Sequence, residues 1–180
     1  MEQALGKREI IAEDLGYMSE TVRQLVRDSG FPGMKVLEFA FDSRDTGSAS
    51  DYLPHNYPVN SVAYTGTHDN ETARGWFEGT ATPRQREQAA LYTHQQAGEP
   101  MADALNRTIA ASVSDTCIYT MQDLLNLGNE ARINTPATLG GNWTWRMLDG
   151  AITRELEHKL TDWTETYFRI PSEAEIELPQ

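Results

Sequence analysis

The 180-residue chain carries 15 Lys and Arg against 27 Asp and Glu, a formal charge of −12, with 39% hydrophobic and 9% aromatic residues. That balance describes a globular chain with room for a sizeable core and excludes a disordered one. The acidic surface disfavours nucleic acid and anionic membrane as partners and leaves neutral polymers such as glucans open.

Apolar β-type runs alternate with helix-period stretches along the chain. Ile10-Ile11-Ala12 forms a short strand candidate, followed by a helix over 19–29 with Ser19 as N-cap, Val22, Leu25 and Val26 on one face, and Gly30 as its stop. A strand is predicted over 34–41, then a long polar loop over 42–57, of a length that is often functional. Val59 to Tyr64 reads as the next strand, leading into His68-Asp69-Asn70 and a helix over 72–78. Thr82 and Gln85 have capping-box spacing, with Pro83 at the first helical position of a helix reaching about residue 97. Pro100 opens a helix with Leu105, Ile109 and Val113 on one side, and residues 116–121 form the fourth strand candidate. A Gly- and Asn-rich stretch over 128–145 precedes a last helix over 153–168, with Leu156, Leu160, Trp163 and Tyr167 at helical spacing. Phe41 and Tyr64 are expected in the core.

Strand–helix alternation of this kind predicts a parallel α/β architecture. Four strand candidates make half of an eight-stranded barrel, a fold that takes about 250 residues when complete. The expected organisation is one unit over 1–170 and an acidic tail over 171–180. No stretch reaches the roughly 18 apolar residues of a membrane span, and residues 1–8 lack a signal peptide's apolar segment, so a cytoplasmic protein is the expectation. Cys117 is the single cysteine, and its apolar neighbours predict a buried thiol.

Two segments place an acidic residue just past a strand candidate: Ala12-Glu13-Asp14-Leu15-Gly16 and Gly66-Thr67-His68-Asp69-Asn70. In parallel α/β sheets and barrels the strand ends are the rim where catalytic groups collect. Partial desolvation at that rim would raise the Glu13 carboxyl's pKa and fit it to hand a proton to a leaving oxygen. The plainer reading of Glu13 is a surface acid that starts a loop. His68, Asp69 and Asn70 together offer a charged acceptor and two directional hydrogen-bonding groups, suited to sugar hydroxyls and to an oxocarbenium-like charge. Asp69 and Asn70 could equally form an Asx turn and helix cap. Trp143 and Trp145 could stack on a sugar face, although packing against the last helix explains at least one of them better. No spacing for a metal site, P-loop, GxGxxG or GxSxG elbow occurs, and His55, His94 and His158 form no ligand pair. The residues thus imply neither metal nor cofactor.

Five segments in one order resemble the amylomaltase family of 4-α-glucanotransferases: residues 10–16, 33–37, 64–70, 122–125, and 132–136 taken with 141–146. The likeness runs from about Ile10 to Arg169. It implies a retaining transfer on α-1,4-glucans and maltooligosaccharides within a (β/α)8 barrel. Glu13 would then be the acid/base after the fifth strand, Asp69 the transition-state stabiliser after the seventh, and His68 a grip on the sugar. Asn70, Asn134 and Trp143 would be substrate-contacting or site-supporting. The family's nucleophile, an Asp in an Arg-x-Asp-His-Phe motif after the fourth strand, has no counterpart here, and Asp14 would point away from Glu13's position. Glu38, Glu71 and Ala137 are smaller departures from the family pattern. The resemblance therefore implies the C-terminal half of such an enzyme, inactive alone and prone to self-association through unpaired strand edges. A non-catalytic glucan-binding half-barrel and a piece of an α-glucan hydrolase are the alternatives.

Overall fold

A computed structural model describes residues 6, 8–16, 19–41 and 49–170; the expected tail over 171–180 and part of the 42–57 loop lie outside them. Three strands, β1 (Gly33–Val36), β2 (Ser61–Tyr64) and β3 (Thr116–Ile118), form one parallel sheet in chain order. Gly33 pairs with Ser61 in β2, and Val62 with Thr116 in β3, with no slip along either ladder. The Ile10-Ile11-Ala12 run, expected as the first of four strands, supplies one parallel bridge, Ala12 to Gly33, on the other edge of β1. Its anchor is the Ala12 N–H donating to the Pro32 carbonyl at 2.9 Å.

The expected helices are present, with shifted ends. α1 (Glu20–Ser29) starts where Ser19 Oγ accepts the Val22 N–H and stops at Gly30, whose φ of 68° is the left-handed turn that glycine adopts without strain. Strand β1 is half the length expected, because residues Leu37–Ala40 wind into a 3₁₀ turn. The crossover to β2 also holds 3₁₀ turns at Ala49–Tyr52 and Pro54–Asn56, so the described part of that loop is structured, with Tyr57 donating its hydroxyl to the Tyr52 carbonyl in the core.

After β2 comes α2 (Ala73–Gly75), which widens at once into a π turn over Trp76–Thr80. α3 (Pro83–Tyr92) begins with the reciprocal Thr82–Gln85 capping box and ends five residues short of the expected limit. α4 (Met101–Ala110) packs Met101, Ala102, Leu105 and Ile109 into the main core; Val113 lies past its end and is exposed. β3 leads into a single helical turn, α5 (Met121–Leu124), and the last helix of the described residues is α6 (Arg154–Thr166).

The main core lies where α4 meets β2 and the turns after β1. Leu37, Phe41, Trp76, Leu105 and Ile109 are its large members, with Phe41 stacked on Trp76 at 6.2 Å. Tyr64 is only half-buried. A smaller cluster of Leu124, Leu156 and Trp163 fastens α6 onto α5. Cys117 is half-buried, donates to the Ile109 carbonyl at 3.0 Å, and has its thiol pKa pushed up by burial. At the mouth of α4, Arg107 grips Glu99 with two bonds of 2.9 and 3.0 Å. Burial works against the Glu99 carboxylate there, yet the guanidinium holds its pKa below the usual range.

Candidate active site

β2 delivers the His68-Asp69-Asn70 segment at its C-terminal end, and packing fixes how the chain leaves the strand. Thr65 is buried and its hydroxyl donates to the carboxylate of buried Asp123 at 2.7 Å. Gly66 follows in a tight space: an added Cβ would stand 3.1 Å from Asn70 Cβ and 3.3 Å from Glu38 Oε2, and these side chains would have to yield by a few tenths of an ångström. Asn70 then turns its Oδ1 back onto the backbone N–H and hydroxyl of Thr67, each at 2.9 Å. This bond runs three residues back along the chain and so is not the Asx turn that the sequence allowed, and the next helix is capped by Thr72.

The turn leaves His68 and Asp69 at the surface, each side chain about half exposed (48%), with His68 Nε2 3.3 Å from Asp69 Oδ1. The same carboxylate oxygen accepts from Asn134 Nδ2 at 2.6 Å. Asn134 also donates its backbone N–H to the His68 carbonyl at 3.1 Å. Trp143 lies beside the pair, its ring 5.1 Å from the His68 ring at 37°. The Trp143 N–H donates to the Ile133 carbonyl at 2.7 Å, and its φ of 62° turns the chain so that the ring faces His68 and stays 57% exposed. Trp145 is half-buried and lines a neighbouring cavity of about 280 Å³ with Gln122, Ile133 and Arg146. Neither tryptophan belongs to the apolar cluster around the last helix, so the expectation that one packs there is corrected.

Glu13 reaches the same place from the other side. It lines a cleft of about 320 Å³ together with Met34, Phe39, His68, Asp69 and Asn70. Asp14 turns away as expected, its Oδ1 accepting the Met34 N–H at 2.7 Å. The desolvation expected at Glu13 is absent: Glu13 is exposed, because the short run before it makes one bridge and builds no wall. The structure thus brings Glu13, His68, Asp69, Asn70, Asn134 and Trp143 to one cleft and its rim. Among the described residues no group of three or more His, Cys, Asp or Glu could hold a metal ion.

Two supporting residues escaped the reading of the sequence as site members. Asp123, 2% exposed, accepts from Thr65 and from the Ala73 N–H (2.8 Å), joining the end of β2, α2 and α5 beneath the cleft. Burial pushes its carboxyl pKa up, and these hydrogen bonds pull it partly back. Arg132 donates from Nη2 to the Asp69 carbonyl (2.7 Å) and from Nε to the Asn134 carbonyl (2.8 Å). The spacing Thr120-x-x-Asp123, an N-cap and its third residue, was the available signal for Asp123. Arg132 had no local signal.

The fold defines a parallel α/β protein with two acidic residues, Glu13 and Asp69, on one cleft past the Ala12 bridge and the end of β2. The chain belongs to the 4-alpha-glucanotransferase family, whose model matches residues 1–152. It is 48% identical to a 4-alpha-glucanotransferase of Clostridium butyricum over 169 residues, 94% of this chain and 34% of that one. A 4-alpha-glucanotransferase of Thermus thermophilus is 41% identical over 162 residues, 86% of this chain and 32% of its own. The amylomaltase of Streptococcus agalactiae, solved in complex with acarbose, superposes with a TM-score of 0.85 at 43% identity, covering 93% of this chain and 33% of that one. The chain therefore spans about a third of the length of the curated relatives it matches.

Proposed function

We propose that this chain supplies the acid/base and stabilising groups of a retaining 4-α-glucanotransferase acting on α-1,4-glucans and maltooligosaccharides. The observation that carries the reading is the shared cleft. Glu13 and Asp69 stand on one cavity, and the carboxylate of Asp69 is braced by Asn134 and flanked by His68 and Trp143. In such a reaction Glu13 protonates the departing glucan oxygen, then takes the proton from the incoming 4-hydroxyl of a second glucan. Asp69, half-exposed and hydrogen-bonded through one oxygen, places negative charge beside the oxocarbenium-like sugar. The tilted rings of His68 and Trp143 offer an edge for hydroxyls and a face for the sugar's apolar side. Exposure of Glu13 suits a group that must meet two different glucans in turn.

The in-order parallel sheet, with Ala12 bridged to its first strand, supports a half-barrel of (β/α)8 type over 1–170. No Arg-x-Asp-His-Phe motif occurs in these 180 residues, so the nucleophile of the two-step reaction has to come from other polypeptide. The experiment compares maltotriose redistribution by the chain alone with that by the chain joined to the non-matching two thirds of the Clostridium butyricum relative. The chain alone is expected to give none. The joined protein is expected to give transfer that Glu13→Gln and Asp69→Asn each reduce by orders of magnitude. Transfer by the chain alone, or full activity in both variants, would overturn the reading.

The edge of β3 has no further strand partner among the described residues. The isolated chain is therefore expected to self-associate there, and a monomer at every concentration in sedimentation would contradict that.

A further inference from the structure

We infer that Arg132 is a positioning residue: it locks the segment bearing Asn134 against the loop bearing Asp69, and so sets which way the Asp69 carboxylate faces the cleft. This rests on the reading of Asp69 as the stabilising carboxylate.

The lock is a ring of four hydrogen bonds, three of them between segments more than 60 residues apart in sequence and the fourth, Arg132 to Asn134, within one segment. Arg132 donates to the Asp69 carbonyl and to the Asn134 carbonyl, Asn134 donates its backbone N–H to the His68 carbonyl, and the Asn134 amide holds Asp69 Oδ1. The side chain of Asp69 is half exposed, so its torsions would be free without a partner. Asn134 is its nearer partner, at 2.6 Å against 3.3 Å for His68 Nε2, yet Asn134 belongs to no helix or strand whose ladder would place it. The planar guanidinium supplies what secondary structure does not, because its fork serves two carbonyls at once in fixed geometry. One cation thus satisfies the acceptors of both segments, and the carboxylate–amide contact follows from their separation. Lysine carries the charge without the fork.

The test uses the 180-residue chain labelled with nitrogen-15. In the parent, the Asn134 side-chain amide is expected to resonate downfield and to exchange slowly with water, as a carboxylate-bound amide does. Asp69→Ala, which removes the acceptor, gives the reference for the released amide. Arg132→Met is expected to shift the signal to that reference, with the melting temperature nearly unchanged, and to weaken maltotriose binding several-fold. Arg132→Lys is expected to recover part of both effects, and it carries the test if Arg132→Met fails to fold. An Asn134 amide that stays put in either variant would overturn the proposal. So would a released amide with maltotriose affinity intact, which would make Arg132 a structural clip. Should the parent bind no maltotriose, the glucan reading fails, and the amide signature alone decides whether Arg132 positions Asp69.

Discussion

The two sides of the cleft are built differently. Asp69 stands on a strand-end loop with a buried foundation: Thr65 and Asp123 beneath it, Gly66 packed against Glu38 and Asn70, and Arg132 and Asn134 closing it from across the sequence. Glu13 follows a run that makes one bridge to β1 and is itself exposed. The contrast fits the tasks proposed for them. A group that stabilises charge works through a fixed position relative to the sugar, since preorganisation is what makes an electrostatic contact count. A group that exchanges protons with two successive glucans needs access more than fixity. The rigidity of the Asp69 side comes from tertiary contacts, and removing them one at a time should bring the two sides closer together.

The largest effect is expected from Trp76→Ala. Trp76 is 1% exposed, stacks on Phe41, and begins the π turn that follows the His68–Asn70 loop. Truncating a buried Trp costs about 3–5 kcal/mol. Urea unfolding should show that loss, and the Asp69 side should loosen with the core. A change below about 1 kcal/mol would mean that the loop does not depend on this core.

Asp123 gives a smaller, pH-dependent effect. Its carboxyl pKa lies above the ordinary 3.8 in the folded chain, chiefly through burial. The folded state therefore binds this proton more tightly than the unfolded state does. Its contribution to stability is complete below the unfolded pKa and is lost as pH rises through the raised folded value. Glu99, with a lowered pKa, works in the opposite sense, so the informative quantity is the difference between parent and Asp123→Asn. That difference is expected to favour the Asn variant increasingly as pH rises from about 4 through the raised folded value, and then to level off. Asparagine keeps an acceptor for the Ala73 N–H, so the offset should stay within about 1–2 kcal/mol. A pH-independent difference would show that Asp123 keeps an ordinary pKa.

What was legible in the sequence follows the range of the interactions. Ser19 and Gly30 bounded α1, and Thr82 with Gln85 opened α3, because a cap is a contact across three or four residues. The strands came out shorter than their apolar runs: pairing partners decide where a ladder ends, and after Val36 the chain turns into Leu37–Ala40. Glu13 and His68-Asp69 could be singled out because their place after strand candidates is itself local. That Trp143 faces His68, or that Arg132 reaches Asp69, could not be read, since each pairing spans more than 60 residues and a loop of positive-φ turns. Burial of Asp123 was hidden for the same reason, as an acid in the first turn of a helix ordinarily faces water.

The smallest effect is expected on the Glu13 side and tests whether that side yields locally. Asp14 accepts the Met34 N–H at 2.7 Å and lies so close over Gly33 that a Cβ there would meet its Oδ2 at 2.5 Å. Asp14→Ala removes this one tie and should cost about 1 kcal/mol. Its signature is local: faster hydrogen exchange at the Ala12 and Met34 amides, with the β2 amides unchanged. If β2 exchange rises equally, the segment before Glu13 and the sheet open as one unit, and the contrast between the two walls of the cleft disappears. If only Ala12 and Met34 respond, Glu13 can move relative to Asp69 without disturbing the foundation under the stabiliser. That is the freedom that protonating one glucan and deprotonating the next would use.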